Sequence, residues 1–343
     1  MKTTRVAING FGRIGRAFFK IAKNRKELEI VAINDLGDIQ NLAYLLKYDT
    51  AYGKSDFEIV VKEGKLVVDG KEVIFLSERE PSKLPWGDLD IDIVLESTGI
   101  FASYEKSKVH LVAGAKRVVV SAPIKDNPED AGVSGSTVLM GVNEEALAVC
   151  QISSNASCTT NAGSPVMQIL HEALGIEKAL LNTVHGYTAT QKIVDSPDQK
   201  DFRKGRAAAQ NIIPGTTGAA IATTKVIKDL EGKFDGIAMR VPIVVGSIAD
   251  ITFVSKRDTS AEEVNAILKK AAGEKRWGKV FTVTEEPLVS SDIIGNPHAS
   301  IADLAFTRVV GGNLVKVVAW YDNEMGYTHS LVEHVIASGK YLK

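Results

Sequence analysis

The chain has 343 residues, 45% of them hydrophobic and 24% charged, with 41 basic side chains against 42 acidic ones. That length predicts two domains of roughly 150 residues each, and so even a charge argues against a protein built chiefly to bind nucleic acid or an acidic membrane surface. Two cysteines, Cys150 and Cys158, exclude a disulfide framework and show no metal-ligand spacing.

The N-terminal MKTTRVAINGFGRIG has no apolar core of a signal or transit peptide, and no apolar stretch reaches the ~18 residues of a spanning helix, so a reducing cytoplasm is the expected location. RVAING reads as a strand, and GRIGRAFFKIAK as a helix with Ile14, Phe18, Ile21 and Ala22 at helical spacing. EIVAIND, DIVLES, KRVVVSAP and STVLMGV follow as short, nearly continuous apolar strands. Strands of that kind separated by helices predict a parallel sheet covered on both faces, the doubly wound or Rossmann arrangement. Gly10, Gly12 and Gly15 stand in the G-x-G-x-x-G spacing where the first strand opens into the helix. One glycine permits the tight turn, one lets the backbone approach a pyrophosphate, and one brings helix against strand. Asp35, ending the second strand, can accept both ribose hydroxyls of an adenosine; its charge repels a 2′-phosphate, which favours NAD over NADP.

After Cys158 the character changes. TTNAGSPVMQILHEAL is helical with Ser157 as N-cap, and KALLNTVHGYT, GIAMRVPIVVGSIADITFVSK, SIADLAFTRVVGG and LVKVVAWYD read as longer alternating strands of a mostly antiparallel sheet, an α+β domain. Helices are expected at 219–229 and 260–272. Residues 192–211 form one long structureless connection, and Asp322 caps a final helix whose apolar face (Met325, Val332, Val335, Ile336) needs a partner. The expected domains are 1–157 with 323–343, and 158–322.

Cys158 is the chemical focus, a thiol among hydroxyls rather than among apolar neighbours. A free thiol is only about 3% ionised at pH 7, and a helix N-terminus or an imidazolium raises that fraction. His185, at the end of LLNTVH, is the candidate partner: a Cys–His pair activates a nucleophile, and the imidazole can also stabilise an oxyanion and relay a proton. Downstream stand Thr188, Arg203, Thr217, Gly218 and Arg240, whose guanidinium forks and donors suit phosphate oxygens, while Ser157 and Thr159 flank the thiol. Nicotinamide, thiolate and phosphate pockets together point to oxidation of a phosphorylated aldehyde.

With NGFGRIG and ESTGIF before them, SNASCTTN, HGYTATQK, KDFRKGRAAAQNIIP, TTGAA, RVP and WYDNEMGY appear in register along essentially the whole chain, which closely resembles phosphorylating glyceraldehyde-3-phosphate dehydrogenase. The resemblance implies that Cys158 attacks the aldehyde, His185 serves as base, and hydride passes to NAD. It also implies that inorganic phosphate cleaves the resulting thioester to 1,3-bisphosphoglycerate. Ser157, Thr159, Thr217 and Gly218 match the attacking-phosphate pocket, and Thr188 and Arg240 the pocket for the substrate's own phosphate, with Arg203 serving the phosphate sites. Arg13, Ile14, Asp35, Arg79, Ser121 and Asn323 match NAD contacts; Leu36 and Pro197 match the NAD-preferring pattern. A homotetramer is implied. Ala162, Met325 and VPIVVGSIAD depart from the family's usual residues. The alternatives are erythrose-4-phosphate dehydrogenase, and a non-catalytic nucleotide- or RNA-binding protein using KDFRKGR.

Overall fold

The computed structural model describes residues 3–199 and 201–342; Lys200, within the 192–211 connection, lies outside the described residues. One compact unit holds the chain up to Ala156 together with the part from Leu331 onward, and the other runs from Ser157 to Ser330.

In the first unit β1 (Thr4–Asn9) leads to α1 (Arg13–Ala22), and β2 (Leu28–Asn34) to α2 (Ile39–Lys47). A small ladder, β3 (Tyr48–Asp49) with β4 (Gly53–Lys54), precedes β5 (Ile59–Lys62), β6 (Lys65–Val68) and β7 (Lys71–Leu76). Then come β8 (Ile93–Glu96), the short helices α3 (Tyr104–Ser107) and α4 (Val109–Val112), β9 (Arg117–Val120), β10 (Gly135–Thr137) and β11 (Ile152–Ser154). The sheet order is β10-β11-β9-β8-β1-β2-β7-β6-β5, parallel from β10 to β7. Its strands are apolar because both faces are covered: Val6, Ala7, Ile8, Ile93, Val94 and Leu95 are fully buried, each large side chain contributing roughly 1.5–3 kcal/mol.

The purely parallel expectation is incomplete. β5, β6 and β7 form an antiparallel meander on the sheet's edge. Its two turns, Glu63-Gly64 and Asp69-Gly70, have positive φ at both residues, the backbone twist that a tight hairpin requires. β11 was not anticipated either, and of STVLMGV only the beginning is strand.

The second unit contains α5 (Cys158–Leu174), β12 (Ile176–Gly186), β13 (Ile213–Thr216), α6 (Ala219–Thr224), β14 (Phe234–Val241), β15 (Ser247–Ser255), α7 (Ala261–Ala272), β16 (Phe281–Thr284), β17 (Ser300–Val310) and β18 (Leu314–Tyr321). The order β13-β14-β12-β15-β18-β17-β16 is antiparallel except at β12–β14 and β16–β17. The expected helix at 219–229 stops at Thr224, followed by a 3-10 turn at Lys228–Leu230. GIAMRVPIVVGSIAD is two strands, broken where Pro242 offers no N–H and Gly246 takes a φ of +100°. α5 packs on β15, β17 and β18, while Leu180, Ile237 and Leu314 stand exposed on the sheet.

Residues 192–211 are not structureless. A bridge joins Lys192 to Ala207, Asp195 accepts from Arg206 Nε (3.0 Å) and the Ala207 amide (2.9 Å), and a 3-10 turn covers Phe202–Gly205. Asp322 accepts from the Glu324 and Met325 amides and so caps α8 (Met325–Gly339). From Leu331 onward this helix belongs to the first unit, where Glu333 pairs with Arg25 at 2.6 Å. Buried His334 sits 2.7 Å from Ser153 Oγ and 3.0 Å from Asn155 Oδ1. Since Oδ1 only accepts, Nδ1–H donates to it, and Nε2 accepts from the serine.

Candidate active site

In the first unit a cavity of about 520 Å³ opens at the carboxyl ends of β1, β2 and β8, lined among others by Asn9, Gly10, Gly12, Asn34, Asp35 and Arg79. The three glycines differ in what surrounds them. Gly10 has a φ of +96°, and a Cβ there would lie 2.6 Å from the Thr98 nitrogen. At Gly15 a Cβ would fall 2.1 Å from the Gly10 carbonyl, so α1 can approach the turn only without a side chain. Gly12, by contrast, has no protein atom within 4 Å of its missing Cβ, leaving an open cradle at the N-terminus of α1. Asp35 closes the cavity's rim, its oxygens accepting from the Phe11 amide (2.6 Å) and the Gly37 amide (2.8 Å). An open glycine, amides at a helix start and a carboxylate with lone pairs to spare fit a dinucleotide.

The other expected cofactor contacts lie elsewhere. Arg13 begins α1 and pairs with Asp49 at 2.6 Å, Ile14 is half-buried in the same turn, and Ser121 follows β9 with its amide on the Glu96 carbonyl. Asn323 belongs to the second unit. Its Oδ1 accepts from the Gly246 amide (2.9 Å) and Ser247 Oγ (3.3 Å), so its Nδ2 hydrogens are the end left to face another group.

In the second unit Ser157 caps α5, its Oγ accepting from the Thr160 amide at 3.1 Å, and Cys158 is the first helical residue. Its sulfur lies 3.4 Å from His185 Nε2. Nδ1 of His185 is 2.6 Å from the Gly186 carbonyl and 2.6 Å from Arg240 Nη1. The carbonyl can only accept and the guanidinium can only donate, so these contacts favour opposite tautomers. With the hydrogen on Nδ1, bonded to Gly186, the Nε2 lone pair faces the sulfur. Burial, and then the Arg240 charge, pull His185 down to about 3, against the Gly186 carbonyl. Burial likewise pushes the Cys158 thiol up, opposed by Arg240 and Thr159. Burial thus opposes the charged form of each partner, whereas Arg240, Thr159 and the backbone amides at the start of α5 favour the thiolate at Cys158.

Arg240, His185, Ser247 and Tyr321 form one row across four strands, because β14, β12, β15 and β18 pair in that register. Tyr321 had no role in the sequence reading. Its buried hydroxyl bridges Thr159 Oγ1 (2.9 Å) and Thr183 Oγ1 (2.7 Å), and its ring meets His185 edge-on at 5.8 Å. Thr183 donates onward to the Ile248 carbonyl, which orients the chain of hydroxyls from Thr159 inward. The WYDNEMGY motif contained the clue.

The remaining anion-binding candidates keep local company. Thr188 Oγ1 is 3.2 Å from Gln191 Oε1, and Thr217 Oγ1 accepts from the Ala219 amide at 3.2 Å, with Gly218 as N-cap of α6. Arg203, exposed, holds Asp201 with two bonds of 3.0 and 3.1 Å. The structure thus brings Ser157, Cys158, Thr159, His185 and Arg240 together by direct contacts, and ties Arg203 to a neighbouring carboxylate.

The family model described as glyceraldehyde 3-phosphate dehydrogenase, NAD binding domain, matches residues 4–104, and the C-terminal domain model matches residues 157–323. The glyceraldehyde-3-phosphate dehydrogenase of Streptomyces coelicolor is 48% identical over 343 residues, covering 99% of this chain and 100% of its own. Those of Clostridium pasteurianum and Geobacillus stearothermophilus are 48% and 47% identical, each alignment covering 96% of both chains.

Proposed function

The chain belongs to the glyceraldehyde 3-phosphate dehydrogenase family, and from that premise we propose that it is the NAD-dependent phosphorylating enzyme. It converts D-glyceraldehyde 3-phosphate and inorganic phosphate to 1,3-bisphosphoglycerate, a step of glycolysis and gluconeogenesis. The observation that carries the reading is the 3.4 Å approach of Cys158 Sγ to His185 Nε2 at the start of a capped helix.

As Sγ adds to the aldehyde carbon, its proton passes to Nε2 and on to the new alkoxide, giving a thiohemiacetal. A neutral imidazole, the form that burial and the Arg240 charge favour at His185, is able to take that proton. NAD, when bound, supplies the hydride acceptor. His185 removes the hydroxyl proton as the C–H electrons leave, and the thioester remains on Cys158. Phosphate held by Ser157, Thr159, Thr217 and Gly218 attacks the thioester carbon, and the departing sulfur regains its proton from His185. Thr188 and Arg240 hold the substrate's own phosphate, with Arg203 exchanging Asp201 for an anion.

Residues 1–157 with 323–343 serve as the NAD-binding domain and 158–322 as the catalytic domain, with Gly10, Gly12, Arg13, Ile14, Gly15, Asp35, Arg79, Ser121 and Asn323 contacting the cofactor. Exposed Leu180, Ile237 and Leu314 on the second sheet support assembly into a homotetramer. Among the described residues no helix is long and apolar enough to cross a membrane. The two free cysteines fit a reducing cytoplasm. The test is NADH formation from glyceraldehyde 3-phosphate with and without phosphate: strong dependence on phosphate is expected, and equal rates would reject phosphorolysis in favour of a hydrolytic relative.

A further inference from the structure

Beneath the glycine turn lies a set of buried polar side chains that the chemistry above leaves unused. Glu96, His110 and Trp86 are at most 1% exposed, and none of them lines the cavity. The indole N–H of Trp86 reaches His110 Nδ1 at 3.1 Å. An indole can only donate, so Nδ1 accepts and His110 carries its hydrogen on Nε2, which is 3.1 Å from Glu96 Oε2. The same oxygen accepts from Asn9 Nδ2 at 2.6 Å. The other accepts from the Thr98 amide at 2.8 Å and from the Thr98 hydroxyl. Four donors thus fill the carboxylate's lone pairs.

The order continues outward. Asn9 Oδ1 accepts from Asn34 Nδ2 (2.7 Å), whose own Oδ1 accepts from the Glu78 amide (2.8 Å). Asn9, Asn34 and Glu96 sit side by side at the ends of β1, β2 and β8, since Asn9 is in register with both. Asn9, Asn34, Thr98 and Glu78 all line the cavity. The side-chain bonds converge on Glu96, from Trp86 and His110 on one side and from Asn34 and Asn9 on the other, with Asn34 Nδ2 also donating to the Glu78 carbonyl at 3.0 Å, so the amide orientation of the cavity floor is set by an acceptor that is itself oriented through His110 and Trp86.

We propose that Glu96, His110 and Trp86 are positioning residues for NAD: they fix the direction of the Asn9, Asn34 and Thr98 polar groups that form the floor of the dinucleotide cavity. The inference rests on the reading of that cavity as the NAD site. With His110 replaced by an apolar residue, Glu96 loses a donor and the indole loses its acceptor, and the floor can reorient.

The experiment measures the NAD dissociation constant, and KM for NAD against kcat, for the full-length wild-type protein, His110→Leu and His110→Gln. Leucine should weaken NAD about tenfold while kcat at saturating NAD stays within about twofold. Glutamine, whose carbonyl can accept from Trp86 and whose amide can donate to Glu96, should restore affinity to within about threefold. If leucine does not fold, Trp86→Phe removes the donor while keeping an aromatic ring, smaller than the buried indole, and should weaken NAD several-fold. A folded His110→Leu or Trp86→Phe with wild-type affinity overturns the inference, as does a glutamine variant no better than leucine. Absence of NAD binding by the wild type would instead overturn the reading of the cavity.

Discussion

Tyr321 and Thr159 share a hydrogen bond of 2.9 Å between buried hydroxyls, placing an aromatic residue of β18 directly behind the residue that follows the nucleophile. Tyr321→Phe keeps the ring against His185 but leaves both Thr159 and Thr183 without this partner. It should destabilise the protein by about 1–2 kcal/mol in denaturant unfolding. It should also raise KM for inorganic phosphate more than it lowers kcat, because Thr159 is no longer held. An unchanged phosphate KM would remove Thr159 from the phosphate pocket.

Cys158→Ser should abolish aldehyde oxidation while NAD still binds, and persistent activity would end its role as nucleophile. His185→Asn should lower kcat by roughly 10²–10⁴-fold with a smaller effect on NAD affinity. Stopped-flow measurement of NADH formation separates the two.

The glycines of the turn give opposite expectations. Gly15→Ala puts a Cβ against the Gly10 carbonyl and should lower the melting temperature of the cofactor-free protein. Gly12→Ala meets no protein atom, so that melting temperature should hold, while the upward shift on adding NAD should shrink or vanish. A Gly12→Ala protein that NAD stabilises as fully as the wild type would move the pyrophosphate away from the turn.

His334 is buried as a neutral ring, and burial pulls it down to about 3 from an ordinary 6.5. The unfolded chain takes up the proton first, so this contribution is complete above pH 6.5 and is lost as the pH falls toward 3. It costs at most about 1.4 kcal/mol per pH unit. His334→Gln should flatten the stability slope between about pH 6 and pH 4, read from denaturant midpoints. An unchanged slope would assign acid sensitivity to other groups, His185 among them.

What the sequence disclosed follows the range of each interaction. Ser157 as cap and Cys158 as first helical residue were legible because a cap acts over three positions. The glycine turn was legible for the same reason, and Asp69-Gly70, which makes one of the meander's turns, carried a hairpin signal that went unread. The contact of His185 with Arg240 depends on the register of β12 against β14, which no local pattern reports. The burial that opposes charge on Cys158 and His185 was not legible, because desolvation depends on everything packed around a group. Arg203 reads in the sequence as an anion-binding fork, and in the structure that fork holds a carboxylate two residues away.

Because Arg240, His185 and Tyr321 are aligned by ladder pairing, the centre should tolerate changes of side chain more readily than changes of length. Deleting or inserting a single residue within β12, β14 or β18 would turn the downstream side chains to the opposite side. Strand spacing is thus a constraint on how variants of this enzyme can arise, separate from the chemistry of any one group.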